Sequence, residues 1–227
     1  SSFKLNKDVF GFPIQWIPKN PRWQNYVDIW TQIPLLTFVK NTVKITVVVT
    51  LLQLFTSSFA AYAFAKMQFK GKNALFLGYI ATIAVPWQAY MVPQFMMMSS
   101  WHLNNTHLAI MCLQAFSAFG VFLMKQFYEG VPTELCEAAR IDGLSEYGIW
   151  WHIMLPLSLP ALSTLTIFTF VNTWNDFLGP LIYLTKTELK TIQIMAASVV
   201  ALIPVLIVFL SLQKYFVQGV ASTGIKG

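Results

Sequence analysis

The feature that most restricts this chain is a series of apolar runs, each long enough to cross a bilayer. They cover residues 38–64, 74–98, 108–124, 153–184 and 195–217, and in hydrocarbon only helices or closed barrels satisfy their own backbone. The runs are continuous and do not alternate, so the expected class is all-α, a polytopic transmembrane helical bundle. Composition agrees, with 56% hydrophobic and 11% charged residues among 227. The net charge of +6 does not point to nucleic acid, because the basic residues are scattered or flank apolar runs as membrane-flanking residues do. Cys112 and Cys136 have no partner that would suggest a disulfide or a zinc site.

One stretch between the runs is polar. Glu134-Leu135-Cys136-Glu137-Ala138-Ala139-Arg140-Ile141-Asp142-Gly143, continuing to Glu146, carries too much charge to sit in hydrocarbon cheaply. Its grammar predicts a short helix at a membrane surface. Thr133 can act as N-cap, and Glu134 and Glu137 lie near the positive end of the helix dipole. Gly143 stands where a left-handed residue ends the helix, and Ser145 can cap a second one. From residues alone this is an ordinary loop helix.

The order of residues says more. Glu137-Ala138-Ala139, three residues, Gly143, nine residues, then Ile153-Met154-Leu155-Pro156 resembles the EAA loop of bacterial ABC importer membrane subunits. Glu137 to Gly143 followed by Leu155 to Pro160 is similar to the carbohydrate-uptake, maltose-permease-like branch. The resemblance implies a cytoplasmic coupling helix, within a coupling loop at 129–156, that docks on an ATPase subunit. It assigns Glu137 to a polar contact, Ala138 and Ala139 to close packing and Gly143 to the turn. Glu134, Arg140, Asp142, Leu155 and Pro156 complete the coupling set. It also implies partners: a second similar permease chain, two ATPase subunits carrying ATP and magnesium, and an extracytoplasmic sugar-binding protein. No cofactor is expected in this chain, and the expected setting is the bacterial plasma membrane, crossed several times.

The resemblance further implies six spans, of which five are visible, with a first span preceding residue 1. Residues 1–34 would then be an extracytoplasmic segment, interrupted by Pro13, Pro18, Pro21 and Pro34, and residues 35–227 the transmembrane domain. Related permeases carry a longer loop where Ile194 meets Met195 here, so residues are expected to be missing at that junction. Lys66, Lys70 and Lys72 form a basic turn, the clearest cytoplasmic mark. The positive-inside margin over the whole chain is thin, and the EAA loop decides the orientation.

Within the expected fourth span, Asn172-Thr173-Trp174-Asn175-Asp176-Phe177 resembles a Trp-Asn-Asp-Phe pattern of the carbohydrate branch. Asn172, Asn175 and Asp176 could line a sugar path, with Trp174 stacking on a pyranose ring. Equally, Asp176 could tie helices together through hydrogen bonds. Gln88 and Gln94, beside Pro86 and Pro93, are weaker path candidates that favour packing. Pro86 and Pro93 are expected to break the second span.

Other chemistry is not signalled. Gly71-Lys72-Asn73 lacks the first glycine and the hydroxyl of a phosphate loop, and no nucleophile elbow or His-Glu-x-x-His appears. His102, His107 and His152 are isolated, and Met91 and Met96–Met98 suit adaptable packing. A secondary transporter using Asp176 as ion site would need inverted repeats, and none is visible. A membrane-embedded enzyme or a binding-only scaffold leaves the loop pattern unexplained.

Overall fold

The structure, a computed structural model, describes residues 34–195, together with 21, 23, 24, 28, 204, 205 and 207–211 near the ends. The expected segment 1–34 and fifth span 195–217 therefore lie almost wholly outside the described residues. Among these, every regular element is helical.

Helix α1, Leu35–Lys66, has 32 residues and is the spine of the molecule. At 1.5 Å per residue it is about 48 Å long, more than the hydrocarbon core requires. Its small residues Ser57, Ser58 and Ala61 are fully buried, so neighbouring helices pack closely against that face. A Cβ placed on Gly120 would lie 2.5 Å from Ser57 Oγ, so the opposing helix can approach only because residue 120 has no side chain.

Helix α2, Lys72–Ala81, ends in a 3-10 turn at Thr82–Ala84, and α3, Trp87–Ser100, leaves at 101° to it. Pro86 causes the bend: it lacks an N–H and holds Val85 in extended geometry. Pro93 was expected to break this span as well, but α3 runs on through it.

The expected third span, 108–124, comprises α4, His107–Gln114, and α5, Ala118–Glu129. It is interrupted at 115–117, and side chains of α1 satisfy the carbonyls freed there. Gln53 Nε2 donates to Gln114 O at 2.7 Å and Thr56 Oγ1 to Ala115 O at 2.8 Å, while Ser117 caps α5 by accepting from Gly120 N. Such pairing is what makes a break at membrane depth tolerable.

After α5 come the loop helix α6, Thr133–Ile141, and α7, Glu146–Ile149. A π turn at Trp150–Met154 and the short α8, Leu155–Leu157, lead to α9, Leu159–Trp174. The segment 146–157 meets α9 at 81°, with the buried Ser158 at the elbow. Helix α10, Leu178–Tyr183, follows. The expected fourth span, 153–184, is thus broken at Ser158 and again at 175–177. Proline at position 160 accounts for the first break, since it cannot continue a hydrogen-bond ladder from the preceding turn.

Among the described residues, two helical stretches, 35–66 and 107–129, are long and apolar enough to span a membrane, and four are if each bent pair counts as one. Two apolar clusters stabilise the bundle. One lies toward Lys66, around Tyr62, Met124, Tyr128, Cys136, Trp150 and Met154. The other lies toward the Leu35 end, around Ile45, Val49, Met98, Ile110 and Tyr183. Residues 185–192 fold over that second end: Asn41 donates to the carbonyls of Glu188 and Lys190, and Thr42 Oγ1 accepts from Ile192 N. A 3-10 turn, Ile192–Met195, crosses the expected junction.

Candidate functional site

Among the described residues, the loop helix α6 and a cleft between the apolar clusters hold sequence candidates that bear on transport. At α6, Pro132 is the N-cap and Thr133 the first helical residue, with no side-chain cap bond. The expected Thr133 cap is therefore displaced by one position, because the fixed φ of proline already sets the entry into the helix. The other end matches expectation. Gly143 has φ +83°, its N–H donates to Arg140 O, and Leu144 N–H donates to Ala139 O, both at 3.0 Å. These paired bonds form the left-handed cap that glycine permits. Ser145 accepts from Gly148 N at 3.2 Å and caps α7.

Helical periodicity divides α6 into two faces. Cys136 and Ala139, three apart, turn inward against the Met154 and Trp150 cluster. Ala139 is 4% exposed, so the surface that approaches it closely belongs to its own chain. Burial raises the Cys136 thiol pKa. Glu134, Glu137, Ala138 and Asp142 face outward. Ile141, which sequence reasoning missed, is 87% exposed, and Leu135 and Leu144 are exposed beside it. A bare isoleucine on the polar face of a short helix was the available signal. Leu155 is half-buried against the cluster around Trp150 and Met154, and Pro156 is exposed.

Arg140 turns back on its own loop. Its Nε donates to Glu146 Oε1 at 2.6 Å and its Nη2 to Oε2 at 3.2 Å. Tyr62 of α1 also donates to Glu146 Oε2. The Arg140 guanidinium holds the Glu146 carboxyl below its ordinary pKa, against the opposing effect of burial. Lys66 Nζ donates to Val131 O, just before α6 begins.

The cleft has a volume of about 240 Å³ and is lined by Gln53, Gln114, Ser117, Asn172, Thr169 and Thr173, with Phe119 and Phe168 at its side. Thr169 Oγ1 donates to Gln53 Oε1 at 2.9 Å, and the two phenylalanine rings meet edge to face. Of the expected path residues only Asn172 lines this cleft. Gln53 and Gln114 were missed, although a glutamine inside an apolar run is itself the signal.

The remaining candidates are placed differently. Trp174 is 1% exposed and stacks on Phe170 at 5.6 Å, so its ring is enclosed by its own bundle and cannot offer a face to a sugar. Asn175 Nδ2 donates to Val171 O, and Asn175 Oδ1 accepts from Gln193. Asp176 Oδ2 accepts from Gln114 Nε2 at 2.7 Å and Oδ1 from Gly179 N at 3.1 Å, which ties α4 to the turn before α10. Gln94 accepts from Trp87 Nε1 at 2.8 Å across one face of α3. Gln88 is exposed.

Residues 53–222 match the family described as binding-protein-dependent transport system inner membrane component. This chain belongs to that family. The permease is 35% identical over 246 residues to the arabinooligosaccharides transport system permease protein AraQ of Halalkalibacterium halodurans, covering all of this chain and 88% of that protein. That aligned length exceeds the 227 residues present here, so the relative carries residues without a counterpart. A second relative, the lactose transport system permease protein LacG of Rhizobium radiobacter, is 34% identical over 213 residues, 87% of this chain and 78% of its own. Among solved structures, a chain of a bacterial ABC transporter that imports the acidic polysaccharide alginate matches with a TM-score of 0.81. At 23% identity, over 95% of the permease and 87% of that chain, it shows a shared all-α fold. Like these permease relatives, the chain is a transport component and not an enzyme.

Proposed function

We propose that this permease forms one half of the translocation path of an ATP-driven importer for an oligosaccharide or similar sugar, with residues 35–227 as its transmembrane domain. It couples to a cytoplasmic ATPase through α6. The observation that carries this is the outward face of α6, where Glu134, Glu137, Ala138 and an 87% exposed Ile141 stand uncovered by the described chain. A small apolar knob ringed by carboxylates suits a protein groove better than it suits water or lipid. Lys66 and Lys125 lie at the same end of the bundle, packed with the cluster under α6. That charge placement favours a cytoplasmic position for α6.

The cleft supports the sugar. Amides and hydroxyls from Gln53, Gln114, Asn172 and Thr169 can pair with hydroxyl groups, and Phe119 and Phe168 can cover the apolar face of a ring. At about 240 Å³ the cleft is smaller than the roughly 300–1,000 Å³ of an enclosing pocket, so it would line one side of a path. A second, similar permease chain would supply the other side, two ATPase subunits would hold ATP and magnesium, and an extracytoplasmic binding protein would deliver the sugar. ATP drives the cycle by binding the closed ATPase pair better than the open one. Closure displaces α6, and the motion reaches α9 through the π turn and the elbow at Ser158.

Coexpression with the ATPase and second permease, followed by purification in detergent, tests the docking face. Glu137→Arg and Ile141→Asp should each release the ATPase while the two permease chains stay together. Retention of the ATPase by both variants contradicts the assignment. In the cleft, Gln53→Leu should slow uptake about tenfold or more, because Gln114 O and the Thr169 hydroxyl lose their partner.

A further inference from the structure

Helix α1 grips the α6 loop at two points from one face. Tyr62 and Lys66 stand four residues apart in its last turns and so project to the same side. Lys66 is 8% exposed, and its ammonium donates to Val131 O at 2.5 Å, directly ahead of Pro132. Tyr62, also buried, donates to Glu146, whose carboxylate holds Arg140 at the far end of α6. One point lies before the loop helix and one after it, so α6 cannot shift without pulling on α1.

Helix α1 is also the better transmitter. The route along the chain from α6 to α9 passes through a π turn and an 81° bend, either of which can absorb displacement. From Tyr62 and Lys66 to Gln53, α1 is unbroken. Gln53 in turn bonds Gln114 O of α4 and Thr169 of α9, both of which line the cleft. A displacement entering at Tyr62 and Lys66 therefore arrives at the cleft with no flexible joint between.

We infer that Tyr62 and Lys66 are positioning residues that make α1 a second arm of the coupling helix, carrying its motion to the cleft alongside the covalent route through Ser158. This rests on α6 being the docking helix. The test uses the complete transporter in liposomes, with both permeases, the ATPases and the binding protein, and reads sugar transported per ATP hydrolysed. Tyr62→Phe removes one hydroxyl and leaves the buried ring, and Lys66→Met keeps the stem and removes the donor. Each should cut the ratio by about threefold to tenfold while the ATPase still copurifies. A lower melting temperature with an unchanged ratio would mean a structural tie only and overturns the inference, as does loss of the ATPase from the Tyr62→Phe complex. If Lys66→Met does not fold, Tyr62→Phe alone decides. Glu137→Arg in the same complex separates the two levels. If it releases the ATPase while Tyr62→Phe leaves the ratio intact, the second arm fails and the docking helix stands; if neither it nor Ile141→Asp releases the ATPase, both fail.

Discussion

Gly143 ends α6 in a conformation that side-chain-bearing residues adopt only at a cost. Its φ is +83°, and a Cβ there would meet nothing within 4 Å, so the penalty of Gly143→Ala is purely backbone, about 1–2 kcal/mol. Gly143→Asn should cost less, because asparagine visits this region more readily. Thermal unfolding of the purified chain should rank the three glycine, asparagine, alanine. At Glu146 the folded pKa lies below the ordinary one, chiefly through Arg140. The contribution of that pair is therefore complete above the ordinary carboxylate pKa and is lost as pH falls through the folded value. Wild type should lose more stability than Glu146→Gln over that acidic window, and equal losses would contradict it. The glycine was legible in the sequence because its constraint is local. The Arg140–Glu146–Tyr62 contact was not, since it needs the turn at Gly143 and the arrival of α1, and no spacing encodes either. The same holds for Ala139, which sequence placed beside Ala138 on one docking surface and the fold turns inward.

Helices were easy to locate in this chain and hard to delimit. Apolar runs announce spans, but α4–α5 and α9–α10 are interrupted inside theirs, and each interruption is stabilised by side chains from elsewhere. Gln53 and Thr56 serve the first break, and Asp176 with Gln114 bridges the second. Those partners lie some sixty positions away in sequence, so no local pattern could announce them. Pro93 errs in the opposite direction: a residue that usually breaks helices sits inside one. The contact of α1 with α5 makes its own prediction. Gly120→Ala drives a methyl into Ser57 Oγ and should destabilise by about 1–3 kcal/mol. Ser57→Ala, by removing that oxygen, should recover most of the loss. Additive effects in a double-mutant melting series would contradict this packing.

At the scale of the molecule, α6 and the cleft are joined by one unbroken helix, α1, and by one bent route through the elbow at Ser158. That arrangement suits a transport subunit whose energy source is another chain. In the transport cycle proposed above, ATP bound by partner subunits drives uptake through this permease. The most direct measurement is sugar uptake by liposomes containing the complete transporter, with ATP enclosed or omitted, with and without an imposed ion gradient. Uptake that requires ATP and the ATPases, and is indifferent to the gradient, is the predicted result. Uptake that follows an ion gradient without the ATPases, and is abolished by Asp176→Asn, would contradict it.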